Sequence, residues 1–174
     1  MRWAERFTSS WERFEMEEIL QLLAEDARLT AAQIAERTGR PEAEVKDAIS
    51  KLEKDRVIRR YKTVIDWEKA GVEHVFGFIE VRVSPERGLG FDAVAERIME
   101  FPEVHSLYLM SGDYDFLVVV QGRTMRDIAY FVAEKLAPLD HVVSTATHFV
   151  LKRYKVDGDI LVDRAEVKRL PVTP

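Results

Sequence analysis

The chain has 174 residues, of which 33% are charged and 47% are hydrophobic, and its net charge is −5 at pH 7. This length and composition exclude a disordered chain and predict one or two folded domains. The absence of cysteine excludes disulfides, thiol nucleophiles and thiolate metal sites, and the four histidines lack the spacing of metal ligands, so no metal or cofactor is predicted. No apolar run is long enough to cross a membrane and the charged N-terminus is unlike a signal peptide, so we predict a cytoplasmic protein without membrane contact.

The first fourteen residues have the aromatic spacing of an amphipathic helix. The aromatic residues, which recur at intervals of four, four and three, are Trp3, Phe7, Trp11 and Phe14. We predict a leader helix over residues 1–14 that packs on its own domain or on a partner.

Two short helices are predicted next. Residues 15–25 carry apolar side chains at helical spacing, which indicates a first helix. Thr30 precedes the second helix, and Gln33 three residues later completes the sequence signature of a capping box. Gly39 supplies the left-handed residue that commonly ends a helix.

A third helix is predicted from Pro41 to near Asp55, because proline suits a helix start and apolar residues recur at helical spacing after it. Its predicted buried residues are Val45, Ile49 and Leu52. The tight turn before it makes residues 15–65 a helix-turn-helix unit. The composition of residues 57–65 predicts a short strand at the end of this unit.

A linker over residues 66–73 is predicted to lead into a second domain over residues 74–155, followed by a tail over residues 156–174. The second domain has the order β-α-β-β-α-β, which is the ferredoxin-like arrangement with both helices on one face of an antiparallel sheet. The predicted fold class is therefore α+β, an N-terminal winged helix-turn-helix followed by a ferredoxin-like βαββαβ domain. Phe76 and Phe78 would lie on the bare face, which a second copy of the chain would cover.

The second and third strands of this domain are joined by a short polar stretch. It reads Ser111, Gly112, Asp113, Tyr114 and Asp115. The residue types are typical of an ordinary hairpin with solvated acids, and they also suit a small-ligand site. The stretch alone leaves both interpretations open.

Six stretches of sequence occur in a characteristic order along the chain. They are ILQLL at 19–23, DARLT at 26–30, KLE at 51–53, VIRRY at 57–61, FPEV at 101–104 and SGDYD at 111–115. In this order, over residues 15–155, they resemble the Lrp/AsnC family of amino-acid-responsive transcription regulators. The resemblance implies a homodimer, or a higher assembly of dimers, that binds double-stranded DNA through its third helix and a small amino-acid effector between protomers.

The resemblance also places the effector at the polar loop and the last strand. Gly112 and its neighbouring amides would hold the effector's carboxylate, and Asp115 would accept from its ammonium group. Thr145 and Thr147 lie two apart on a strand, so their hydroxyls face one side, although threonine is also an ordinary strand residue. The predicted effector-binding residues are Ser111, Gly112, Asp113, Tyr114, Asp115, Thr145 and Thr147.

The predicted DNA-binding residues lie on the third helix and just after it. They are Lys46, Ser50, Lys51, Lys54, Arg56, Arg59, Arg60 and Lys62. Family members usually carry several arginines on this helix, whereas residues 41–55 hold three lysines and five acids, and Ala48 occupies a position where arginine is common. The basic residues after the helix are typical of a phosphate-contacting segment and equally of a solvated edge strand. We expect DNA binding that is weak or sensitive to salt.

Two other functions fit the same two-domain outline. The siroheme decarboxylases are similar in outline and also lack a basic third helix, but their asparagine and tryptophan motifs are missing here, and only His105 and Tyr108 are suggestive. A ligand-sensing module that no longer binds DNA is the other alternative. Since no catalytic triad, carboxylate pair or phosphate-binding loop is present, we predict a regulator without enzymatic activity.

Overall fold

The computed structural model describes residues 10–84 and 90–162, with side chains from residue 16 onward. Contacts divide the chain between Val64 and Ile65 into two compact units, each described here by itself. Most of the predicted leader helix, including Trp3 and Phe7, lies outside the described residues, as do residues 163–174 of the predicted tail.

The N-terminal unit consists of three helices. They are α1 (Ser10–Glu25), α2 (Ala31–Thr38) and α3 (Glu42–Lys54). The first helix begins five residues earlier than the predicted start at residue 15. Its buried residues Ile19 and Leu23 pack with Ile34, Ala35 and Val45 of the other two helices to form the core of the unit.

The local signals that define α2 are confirmed. The Thr30 hydroxyl accepts from the Gln33 amide at 3.3 Å, while the Gln33 side chain accepts from the Thr30 amide at 2.9 Å. Gly39 ends the helix with φ of 70°, in the left-handed region that glycine enters at little cost. The turn between α2 and α3 is therefore fixed by residues within about ten positions of one another.

The predicted strand over residues 57–65 is wrong. These residues are extended or irregular, and no strand occurs in the described part of the N-terminal unit. A strand needs a partner for its backbone groups, and three helices offer none. Strand-like composition alone does not supply the missing pairing.

The C-terminal unit is a ferredoxin-like βαββαβ domain, as predicted. Its strands are β1 (Val75–Val83), β2 (Val104–Leu109), β3 (Phe116–Gly122) and β4 (Val142–Phe149), and its helices are α4 (Gly90–Met99) and α5 (Met125–Phe131), which continues as one π-helical turn (Val132–Leu136). The sheet has the order β2-β3-β1-β4 with every neighbouring pair antiparallel. A two-stranded hairpin, β5 (Lys155–Val156) with β6 (Asp159–Ile160), follows where the sequence predicted the end of the domain and the start of the tail.

The core of the C-terminal unit lies between one face of the sheet and the helices. It is built from Ile79, Val81, Val94, Ile98, Phe116, Val118, Val120, Ile128, Phe131 and Leu136. Two glycines let α5 approach the sheet closely. A Cβ atom on Gly77 would lie 3.2 Å from both Ile128 and Val120, and one on Gly122 would lie 3.1 Å from Ile128.

We expect Gly77→Val to lower the free energy of unfolding by about 1–3 kcal/mol, because the added methyl groups overpack the contact between β1 and α5. Urea denaturation followed by circular dichroism measures the change. Ala146→Val is the matched control, since Ala146 is exposed on the other face of the sheet. Equal stability of the two variants would contradict close packing at Gly77.

Candidate functional site

One side of α3 is exposed to solvent and carries basic residues. Val45 and Leu52 are fully buried, which turns Lys46, Ser50 and Lys54 toward solvent, and Lys51 is exposed as well. Lys46 Nζ lies 2.7 Å from Glu42 Oε1, one helical turn away. Both side chains are about half exposed, so this ion pair adds little to stability. It does neutralise one of the few cations on the helix.

The basic segment after α3 is held against its own unit at two points. Ile58 packs against the core, and the Tyr61 hydroxyl donates to Glu53 Oε1 at 2.9 Å. Burial, with the Glu53 hydrogen bond second, raises the pKa of Tyr61 above its ordinary value, so the hydroxyl remains a donor at neutral pH. Between these points, Arg59 and Arg60 are exposed. The segment therefore presents its arginines beside the C-terminal end of α3 without forming a strand.

Arg56 closes α3 in an unusual conformation. Its φ is 57°, in the left-handed region, and the amides that follow the helix bond back to it. The Val57 amide donates to the Leu52 carbonyl at 2.9 Å and the Arg56 amide donates to the Glu53 carbonyl at 3.0 Å. This is the Schellman pattern, in which glycine is the preferred residue at the position that Arg56 occupies. The structure therefore carries a strained cationic residue where DNA contact is predicted.

We expect Arg56→Gly to raise the free energy of unfolding by about 0.5–1 kcal/mol, because glycine enters the left-handed region without the Cβ penalty. The same change should weaken DNA binding if Arg56 contacts phosphate. Thermal unfolding and a DNA titration on the same preparation check both effects. Arg56→Lys is the control, since it keeps both the charge and the strain; an Arg56→Gly variant less stable than wild type would contradict the account.

The polar loop connects β2 to β3 by a tight turn. Gly112 has φ of 138°, a value that favours glycine, and Ser111, Gly112 and Asp113 are exposed. The loop is closed by the Met110 amide, which donates to the Asp115 carbonyl at 2.8 Å. Tyr114 and Asp115 are half-buried. The five predicted loop residues therefore form one turn, of which the first three are exposed and the last two are half-buried.

Asp115 also ties this loop to the neighbouring strand β1. Its amide donates to the Val81 carbonyl at 3.0 Å, and its carboxylate Oδ2 accepts from the Val83 amide at 2.8 Å. The side chain therefore continues the β1–β3 hydrogen-bond ladder past the start of β3 at Phe116. One carboxylate oxygen has this structural role, and a carboxylate retains further lone pairs for another donor.

Thr145 and Thr147 lie on one side of β4, as predicted, and that side faces the helices. They stand opposite Val81 and Ile79, whose side chains are fully buried in the core, and residues opposite one another on antiparallel strands share a face. Strand β1 separates β4 from β3, so the threonines are two strand spacings, about 10 Å, from the strand that carries Asp115. The structure does not place them beside the loop of their own chain.

The face of the sheet opposite α4 and α5 is rich in apolar side chains. Pairing puts Phe78 beside Val119 and Tyr108 beside Leu117 on this open face, and Phe78 and Tyr108 are 38% and 53% exposed. Glu80 lies on the same face, 3.3 Å from His148 Nε2. The bare face predicted from Phe76 and Phe78 is therefore present.

Comparison with known proteins identifies both units. Residues 17–59 match the family model for winged helix-turn-helix DNA-binding domains, and residues 77–160 match the model for the Lrp/AsnC ligand binding domain. The uncharacterized HTH-type transcriptional regulator YugG of Bacillus subtilis is 52% identical over 158 residues, which cover 90% of this chain and 95% of that protein. The chain belongs to the Lrp/AsnC family.

Solved structures agree with this assignment. The transcriptional regulator NMB0573 of Neisseria meningitidis, crystallised as an L-Met complex, is 26% identical with a TM-score of 0.67, over 81% of this chain and 90% of that one. An AsnC family transcriptional regulator from Agrobacterium tumefaciens is 28% identical with the same TM-score, over 83% and 94%. This Lrp/AsnC protein is therefore a DNA-binding transcriptional regulator, and the siroheme decarboxylase alternative is not supported.

Two features of this Lrp/AsnC protein were missed by sequence reasoning. The hydrogen bond from the Val83 amide to the Asp115 carboxylate could not be predicted from the sequence, because 32 positions separate the two residues. Gly77 could have been noticed as a glycine within a strand, a position that often marks close backbone approach.

Among the described residues, no helix is long and apolar enough to span a membrane.

Proposed function

We propose that this regulator binds a small amino acid at the loop of residues 111–115 and that its DNA binding changes in response. The exposed turn offers backbone amides around Gly112 for the effector's carboxylate. Asp115 is held in place by the Val83 amide through Oδ2, which leaves lone pairs of its carboxylate for the ammonium group. The observation that carries the proposal is this anchored carboxylate beside a glycine turn in a domain that matches the family's ligand-binding model.

The protein that contacts DNA is proposed to be a homodimer, or a higher assembly of dimers, in the cytoplasm. A second copy covering the open face would bury Phe78 and Tyr108, whose exposure is otherwise unexplained. In such assemblies Thr145 and Thr147 would contribute to a site only through another protomer, because β1 separates them from their own loop. Sedimentation velocity tests the assembly. We expect a dimer or larger species for wild type and a monomer for Leu117→Glu, which places a charge on the open face. A monomeric wild type would refute the proposed assembly.

DNA contact is assigned in this proposal to the exposed face of α3 and to the basic segment after it. The residues are Lys46, Ser50, Lys51, Lys54, Arg56, Arg59, Arg60 and Lys62. Fluorescence anisotropy with a fragment of the regulator's own promoter region, at low and moderate salt and with or without a pool of amino acids, tests the whole proposal. A change in affinity or stoichiometry on adding the pool supports it, and identical binding curves would refute the effector response.

A further inference from the structure

A polar cavity lies at the end of the sheet opposite the loop of residues 111–115. Its volume is about 350 Å³, and five of its eight lining residues have polar or charged side chains. These five are His74, Glu103, His105, Gln121 and Arg123. They come from the residue before β1, the start of β2 and the end of β3, whereas the loop joins the other ends of β2 and β3. The two regions are separated by the length of a six-residue strand, about 20 Å.

The cavity wall is shaped by a β-bulge. Pairing between β2 and β3 shifts between Val104 and Ser106, which leaves His105 as the extra residue. The His105 ring then packs edge-on against Phe76 with centroids 6.2 Å apart, and Phe76 in turn contacts His74 at 6.5 Å. Two imidazoles are thus positioned on the same wall by a shared aromatic contact.

The charge within the cavity is positive on balance. Glu103 is an ion-pair partner of Lys135, and the hydrogen bond from Lys135 holds the pKa of the Glu103 carboxyl below its ordinary value, so its negative charge is already neutralised. Arg123 is exposed and has no ion-pair partner among the described residues. The side-chain amide of Gln121 and the imidazole N–H groups add further donors. Arginine with such donors is the set that recognises a carboxylate.

One carboxylate oxygen of Glu103 has no hydrogen-bond partner among the described residues. This oxygen, Oε2, is buried. Because a carboxylate oxygen only accepts hydrogen bonds, the partner that this atom lacks is a donor such as a water, and not the carboxylate of a ligand.

We propose that this cavity is a second ligand site, which takes a small organic carboxylate through Arg123, Gln121 and the two histidines. Its volume falls at the lower end of the range for small-molecule pockets. The site does not depend on an amino acid binding at the loop, since no lining residue is shared with it. The regulator would then bind a second small molecule at the end of β2 and β3 that lies opposite the loop of residues 111–115.

Isothermal titration calorimetry of the full chain with succinate tests the proposal. Saturable binding is expected for wild type, with affinity at least about tenfold lower for Arg123→Gln. Arg126→Gln is the matched control, because Arg126 is exposed on α5 outside the cavity and contacts Tyr130. Hydrogen exchange of the peptide that contains residues 111–115 should be unchanged by succinate, which separates this site from the loop.

Three outcomes would overturn the proposal. They are no saturable heat with succinate, equal affinity of the Arg123→Gln and wild-type proteins, and inorganic phosphate binding as tightly as succinate, which would show a general anion contact only. Hydrogen exchange of the peptides that contain residues 103–105 and 121–123 locates the site independently, and slower exchange with succinate there is expected.

Discussion

Replacing Arg59 and Arg60 together with alanine is expected to weaken binding to every DNA fragment, target or random, by at least about tenfold at moderate salt. Both side chains are exposed beside the C-terminal end of α3, where we propose that they contact phosphates, and they are not part of the helix that is proposed to read bases. Each lost phosphate contact also removes about 0.9 from the slope of log affinity against log salt, so the double variant should lose nearly 2. Anisotropy titrations across a salt series measure both quantities.

The control for this experiment is Arg97→Ala with Arg126→Ala, which removes the same net charge from the helices of the C-terminal unit. It should leave the salt slope unchanged. If the two double variants lose affinity equally, only the overall charge matters and Arg59 and Arg60 make no local contact. A loss confined to one target sequence would instead indicate base recognition by these residues.

Replacing Asp115 with alanine is expected to lower the free energy of unfolding by about 1–3 kcal/mol and to abolish the response to an amino acid. The stability loss follows because the half-buried amide of Val83 loses its 2.8 Å acceptor. The response is lost because the ammonium group loses its proposed partner. Chemical denaturation and a ligand-induced shift in melting temperature measure the two effects separately.

Two matched variants separate the structural role of Asp115 from its proposed binding role. Asp115→Asn keeps an oxygen for the Val83 amide but removes the charge, so most of the stability should remain while the response is lost. Asp113→Ala, at an exposed position of the same loop, should change stability little. If Asp115→Asn keeps the full ligand-induced shift in melting temperature, the carboxylate charge is not needed to bind the effector. If Asp115→Ala is as stable as wild type, the hydrogen bond to the Val83 amide does not contribute to stability.

The parts of the fold that sequence predicted are those set by neighbouring residues. The capping box of Thr30 with Gln33 and the left-handed Gly39 are decided within a few positions, and the apolar periodicity that orders the βαββαβ domain is equally local. The same reasoning failed for residues 57–65, because a strand exists only if another segment pairs with it. Local composition therefore predicts where a strand is permitted and not where one forms.

The candidate effector site divides in the same way. The turn itself was predictable from Gly112 and its neighbours, which lie together in sequence, whereas its interpretation as an effector site depended on the family resemblance. The face of the sheet on which Thr145 and Thr147 lie was not predictable. It depends on the register of β4 with Val81 and Ile79 of β1, which are more than sixty positions away. A shift of one residue in that register would have turned both hydroxyls to the open face. Pairing between distant strands was the information that the sequence lacked.

The acidic surface of α3 has a consequence for how the regulator is distributed along a chromosome. Residues 41–55 carry a net charge of −2, and one of their lysines is already paired with Glu42. Binding to random DNA comes almost entirely from phosphate contacts, and a genome offers millions of such competing sites. If α3 contacts DNA as proposed, its net negative charge weakens binding to random sequences and leaves a larger share of the molecules unbound between genes. More copies are then free to occupy an operator when the effector changes.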